Sequence, residues 1–348
     1  MKYHIFLFVE YSLHKLLNAF KLFNLFARKQ HMSMRPKISV VLPYYGQFPI
    51  WIEAFLRSCA FNEEMEWLIY TDITPPNYQP KNVRFIHFPK TKLVELIEAK
   101  TGIKHALKNP YKLCDFKPLY GHIFEDDIVG QEYWGHCDMD VIWGDMTRFL
   151  QKIKYTKYDI VSTRPNAISG HFTLYRNITS LNHYYKHVPN YQQAFTQDFG
   201  QGFDEGYFSF HLFNEIKNGQ CAFKPYWKKR NCLDRGELKH LPHGWYWQSG
   251  KIKNTLGFSA NYLHMIDWKR KLKTVNLHNI PTLDRFKIEE RQISTLKPVW
   301  PFRWKSLKEN TRQGLWRYLK LQSSLLQDSA LTKDQPNVSK RYRVLGKN

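Results

Sequence analysis

Tyr133-Trp134-Gly135-His136-Cys137-Asp138-Met139-Asp140-Val141-Ile142-Trp143-Gly144-Asp145 places two carboxylates one residue apart at the end of an apolar, strand-like run. Side chains alternate along an extended chain, so Asp138 and Asp140 are expected on one face and Met139 on the other. Two hard oxygen donors on one face suit a divalent cation, and such a cation neutralises charge growing on a diphosphate leaving group. Acidic pairs also occur on solvated turns, which is the competing reading. Trp134, Val141, Ile142 and Trp143 are residues of cores and pocket walls, and they favour the edge of a buried strand.

Working outward, Ile38-Ser39-Val40-Val41-Leu42-Pro43-Tyr44-Tyr45-Gly46 is an apolar run ended by Pro and Gly. It suits a buried parallel strand and the loop after it. A helix around residues 50–60, strands at 66–71 and 83–88, and a helix over 91–100 follow, and this alternation argues for an α/β domain with a mostly parallel sheet. Open α/β sheets bind ligands beyond the carboxyl ends of their strands, so Pro43, Tyr44, Tyr45 and Asp72 are candidates for contact with a nucleotide. An ordinary strand-to-helix turn, with Asp72 as a cap, would read the same way.

Before the acidic pair lies Tyr111-Lys112-Leu113-Cys114-Asp115-Phe116-Lys117-Pro118-Leu119-Tyr120-Gly121. In their order these features resemble the GT-A glycosyltransferases of the DXD sugar-nucleotide-binding group. Toxin glucosyltransferases, yeast-type mannosyltransferases and small uncharacterised bacterial relatives in polysaccharide clusters belong to that group. The resemblance runs over residues 36–270 and implies a GT-A-like (Rossmann-like) sheet flanked by helices. It also implies a nucleotide-diphosphate sugar donor, Mn²⁺ or Mg²⁺, and a glycan or lipid-linked glycan acceptor in surface polysaccharide synthesis. By the same resemblance Asp115, Lys117 and Asp138 touch the sugar nucleotide. Two departures stand out: His136-Cys137 precede the first Asp where a hydrophobic residue or Tyr is usual, and Lys117-Pro118 replaces a more usual Arg. Lys117 also reads as a solvated surface lysine.

Residues 158–163 and 169–177 read as two further strands, with Gly170 and His171 near the transferred sugar; a lone histidine is more often a core or surface residue. Asp204 and Glu205 begin a run of helical spacing through Phe210, Phe213 and Ile216. The helix dipole alone favours acids there. The resemblance implies instead an acid facing acceptor or donor sugar, and an inverting transfer needs such a general base. In Asn261-Tyr262-Leu263-His264-Met265-Ile266-Asp267-Trp268-Lys269, His264 is the candidate for the further metal ligand that this group draws from a C-terminal histidine. A histidine capping a strand is the alternative.

The chain has 348 residues, 43% hydrophobic and 16% aromatic, enough to bury a core. A formal charge of +22 points to an anionic partner. Five cysteines at irregular spacing form neither a disulfide framework nor a zinc pattern and read as reduced thiols. Leu13, Leu16, Leu17, Phe20, Phe23, Phe26 and Ala27 recur at helical steps, flanked by Lys15, Lys21, Arg28 and Lys29, as in a basic helix lying on an anionic membrane. A helix packed on the domain, or sequence upstream of a true start at Met32 or Met34, are the other readings. No run is long enough for a membrane span, so the expected location is cytoplasmic, peripheral at the inner membrane face.

The expected plan is an amphipathic helical extension over 1–35, a catalytic domain over 36–275, a basic, aromatic-rich helical region over 276–327 and a disordered tail over 328–348. A haloacid-dehalogenase-like phosphatase also carries Asp-X-Asp, but after its first strand, and here several elements come first. A nucleic-acid-binding protein would explain the charge, yet no zinc finger, helix-turn-helix or RNA-recognition signature accompanies it.

Overall fold

A computed structural model describes residues 38–105, 107–227, 232–233, 244–255 and 258–296. The expectations for the amphipathic helix of 1–35, for 297–327 and for the tail lie outside these residues. The main sheet has seven strands in the order β3-β2-β1-β4-β7-β6-β8. These are β1 (Ile38–Pro43), β2 (Met65–Thr71), β3 (Val83–His87), β4 (Tyr133–Cys137), β6 (Ile160–Ser162), β7 (Phe172–Arg176) and β8 (Pro225–Trp227). Every neighbouring pair is parallel except the two made by β7, so one strand alone is reversed.

Helices cover both faces, which is why the central strands read as unbroken apolar runs. On β1, Val41 faces one core cluster while Ile38, Val40 and Leu42 face the other. On β2, Leu68 and Tyr70 divide in the same way from Met65, Trp67 and Ile69. Helix α1 (Ile52–Ala60) buries Ile52, Phe55, Leu56 and Cys59, at steps of three and four residues. Helix α2 (Lys90–Thr101) ends at Gly102 in the left-handed region. Residues 110–128 form a chain of short turns that includes α3 (Leu113–Phe116) and α4 (Tyr120–Ile123). Gly121 lies flat on Trp134, whose indole occupies the space a Cβ would need.

The acidic pair sits in a turn between β4 and β5 (Val141–Trp143), not inside one continuous strand. Strand β5 leaves the main sheet for a three-stranded one, where it pairs antiparallel with β13 (Tyr262–His264), itself parallel to β9 (Cys232–Leu233). Asp145 then caps α5 (Met146–Ile153), accepting from the Arg148 N–H at 2.8 Å. Two helices follow β7: α6 (Thr179–Asn182) and α7 (Ser209–Lys217), the second preceded by a π-helical turn, Phe203–Phe208.

A six-stranded sheet was not foreseen. It joins β10 (Trp245–Gln248), β11 (Lys251–Asn254), β12 (Ser259–Ala260), β14 (Thr274–Asn276), β15 (Arg285–Ile288) and β16 (Gln292–Thr295). Trp245, Trp247, Ile252, Phe286, Ile288 and Ile293 form its buried face, packed with Ala54 of α1 and Ile142 of β5. Residues 276–296 were expected to be helical; the structure corrects this to strands, because Phe286, Ile288 and Ile293 alternate with polar positions at the two-residue period of a half-buried sheet. Of the described cysteines, Cys59, Cys114, Cys137 and Cys221 are free thiols.

Candidate metal centre

Parallel strands present their carboxyl ends at one edge, and there the candidate residues meet. Val41 of β1 pairs with His136 of β4, so Pro43 and Asp138, each two residues further on, leave the sheet side by side. The turn is fixed by its backbone: the Asp138 N–H donates to the His171 carbonyl at 3.1 Å, and the Met265 N–H donates to the Asp140 carbonyl at 2.8 Å. Trp51 Nε1 donates to the Met139 carbonyl at 2.9 Å.

Asp138, Asp140 and His264 bring one ligand atom each to within 4.8 Å of one another. His264 Nε2 lies 3.4 Å from Asp140 Oδ1 and 4.0 Å from Asp138 Oδ2. The other oxygen of each carboxylate faces an ammonium group. Lys117 Nζ is 2.5 Å from Asp138 Oδ1, and Lys269 Nζ is 2.7 Å from Asp140 Oδ2. Burial alone would raise the Asp140 pKa, but His264 and Lys269 outweigh it and hold the carboxyl well below the usual range. Burial likewise works against charge on Lys117, but Asp138 beside it keeps the ammonium well above the ordinary lysine value.

His171 stands behind His264, their rings stacked at 4.0 Å and 20°. Its Nε2 meets the Tyr262 hydroxyl at 2.8 Å and its Nδ1 the Ser169 hydroxyl at 2.9 Å, so this histidine orients the candidate ligand. Gly170 accepts from Lys117 Nζ at 2.7 Å and donates its N–H to Glu205 Oε1 at 2.8 Å. A Cβ on Gly170 would come within 2.9 Å of Asp204 Oδ2 and 3.0 Å of Glu205 Oε1, so a side chain there would displace these two carboxylates. Arg164 Nη1 holds Glu205 Oε2 at 2.8 Å. Asp204 is buried, which pushes its pKa up to about 8 against the pull of Lys117.

The remaining candidates divide. Burial, and then the charge of Asp140, raise the Tyr44 phenol pKa. Tyr45 is buried, donates its hydroxyl to the Phe88 carbonyl at 2.9 Å and feels the charge of exposed Asp72. Asp115, expected to touch the nucleotide, is fully buried instead. Its two oxygens accept from the N–H groups of Gln201 and Phe203, both at 2.8 Å, and one lies 2.8 Å from buried Lys112. It positions the segment that leads into Asp204. Lys117 is not a solvated surface lysine, since its charge is spent on Asp138 and Gly170. Reading the sequence missed Lys269, Trp51, Tyr262 and Arg164. Lys269 alone left a signal, five residues after His264.

The chain belongs to DUF6625, a family of unknown function, whose family model matches residues 40–297. No curated protein matches it. Among solved structures it is similar to the galactosyltransferase LgtC in complex with donor and acceptor sugar analogs, at 9% identity over 49% of this chain and 71% of that one, with a TM-score of 0.29. It is also similar to mouse xyloside xylosyltransferase 1 in its apo form, at 9% identity over 59% and 90%, TM-score 0.34. A third is the glycosyltransferase GlyE of Streptococcus pneumoniae TIGR4, at 12% over 56% and 55%, TM-score 0.25. Among the described residues no helix is long and apolar enough to cross a membrane.

Proposed function

We propose that this chain is a metal-dependent glycosyltransferase that uses a nucleotide-diphosphate sugar, with Asp138, Asp140 and His264 as ligands of Mn²⁺ or Mg²⁺. One observation carries the reading: Asp138 Oδ2, Asp140 Oδ1 and His264 Nε2 face one another, while Lys117 and Lys269 take the two outward oxygens. Two carboxylates and an imidazole suit manganese, and ligand carboxylates held by outer partners are the usual arrangement. When bound, the cation would neutralise the diphosphate leaving group. The phosphatase alternative wants its aspartates after the first strand; here they follow the fourth in sequence.

The chain's own residues supply the rest. Pro43, Tyr44 and Asp72 line the same edge of the sheet as the metal ligands and would flank the nucleoside. Gly170 gives the sugar close access to the backbone beside Lys117. Burial pushes the Asp204 carboxyl up to about 8, which favours its protonated form as a hydrogen-bond donor in this corner; Glu205, held by Arg164 and the Gly170 N–H, is the carboxylate beside it. The acceptor is a glycan or lipid-linked glycan presented at an anionic membrane surface, in surface polysaccharide synthesis. Calorimetric titration with UDP-, GDP- and CMP-type donors tests the reading. Binding of at least one donor that requires Mn²⁺ is expected, and no binding of any donor with the metal present refutes it.

A further inference from the structure

A second convergence of ligating side chains lies toward the other end of β4. His122 in α4, Glu125 just after it and His183 just after α6 bring one ligand atom each to within 4.8 Å of one another. His183 Nε2 lies 3.9 Å from Glu125 Oε2, and the two imidazole rings stand 3.9 Å apart between centroids, tilted by 44°. That nitrogen is shielded from solvent and makes no hydrogen bond, an arrangement native proteins avoid without a reason. The outer partners are in place. His122 Nδ1 meets the Tyr185 hydroxyl at 2.8 Å, leaving Nε2 to ligate. Lys100 Nζ takes Glu125 Oε1 at 2.9 Å and Asp126 at 2.7 Å, leaving Oε2 toward His183.

We propose that His122, Glu125 and His183 form a zinc site, separate from the Asp138 centre, that ties α4 to the chain after α6. Two imidazoles and one carboxylate are a zinc donor set, and a water completes the tetrahedron. Zinc–ligand bonds of about 2.0–2.1 Å set tetrahedral edges near 3.3–3.4 Å, so the 3.9 Å gap closes by roughly half an ångström. Burial, then the neighbouring imidazole and Lys186, lower the His122 pKa to about 4; burial, then Lys186, lower that of His183. Burial thus favours the neutral imidazole in both rings, the form that ligates. Glu125 is the acidic group that faces both imidazoles, against the charges of Lys186 and Lys100. The site has a mechanical purpose. Asn182, next to His183, accepts from Trp134 Nε1 at 2.7 Å, so the zinc would clamp the turns packed on the start of β4.

The test uses full-length protein stripped with EDTA and carrying Asp138→Asn and Asp140→Asn, so that the first centre is silent. Dialysis against Zn²⁺ should leave one equivalent bound, and Co²⁺ should give the visible bands of a four-coordinate site. Adding His183→Gln or Glu125→Gln should weaken Zn²⁺ binding at least tenfold and remove the Co²⁺ bands. Both side chains are about one-third or more exposed, at 32% and 41%, so the metal-free melting temperature should hold. Absence of bound zinc in the Asp138→Asn, Asp140→Asn protein overturns the proposal. So does zinc binding that neither His183→Gln nor Glu125→Gln alters.

Discussion

Lys117 and Asp138 are paired at 2.5 Å, with the lysine side chain 7% exposed and the aspartate 32%. The ammonium is thus inside the protein while the carboxylate looks out. Lys117 also serves the Gly170 carbonyl, so it joins the acidic turn to the segment that approaches Glu205.

Replacing Lys117 with Met should lower unfolding stability by about 1–3 kcal/mol, since Gly170 loses a charged donor. Mn²⁺ should then raise the urea midpoint of the variant less than that of the unaltered protein, because Asp138 has lost the outer partner that holds it. Equal shifts would show that Lys117 does not support Asp138 as a ligand.

Asp138→Asn, Asp140→Asn and His264→Gln should each weaken Mn²⁺ binding by more than the roughly 10- to 100-fold typical of lost outer partners, read by calorimetry. Asp140→Asn should cost less stability than Lys269→Met. The first substitution returns a 34%-exposed lysine to water, whereas the second strands a carboxylate that is 3% exposed. The reverse order of melting temperatures would contradict this placement.

Asp204 gives a pH signature. Its folded-state pKa, near 8, lies above the unfolded value, so the folded chain holds a proton that the unfolded chain releases. Stability from this group is complete below the unfolded pKa near 4 and declines as pH rises toward 8. Asp204→Asn should therefore melt higher than the parent at pH 8, with the gap shrinking toward pH 4. A gap independent of pH would mean the carboxyl is ionised throughout.

Two glycines separate site from scaffold. Gly135→Ala forces a Cβ to within 2.5 Å of the Thr173 carbonyl across the β4–β7 pair, and should cost about 1–3 kcal/mol or more. Gly170→Ala meets only the Asp204 and Glu205 side chains, so it should impair transfer while costing less stability. Thermal melts beside a transfer assay distinguish the two.

The main sheet was legible because buried parallel strands leave unbroken apolar runs, as in Val40-Val41-Leu42. The three residues of the candidate centre were legible by type, and the acidic pair by its place at the end of a strand-like run, since Asp138 directly follows β4. The second sheet was not. Its buried positions Ile252 and Phe286 are flanked by Lys and Arg, so the charge masked the two-residue alternation. Asp115 misled for a different reason: the backbone N–H groups that hold it, at Gln201 and Phe203, are 86 and 88 residues away.

Strand β13 carries His264 to the acidic turn by pairing with β5, so the third candidate ligand comes from a segment made more than a hundred residues after the first two. A chain still emerging from the ribosome would hold both aspartates on a finished parallel core and yet lack a complete donor set. Competence for the cation would thus come late in synthesis, and a product broken off before residue 264 would be folded in part but chemically silent.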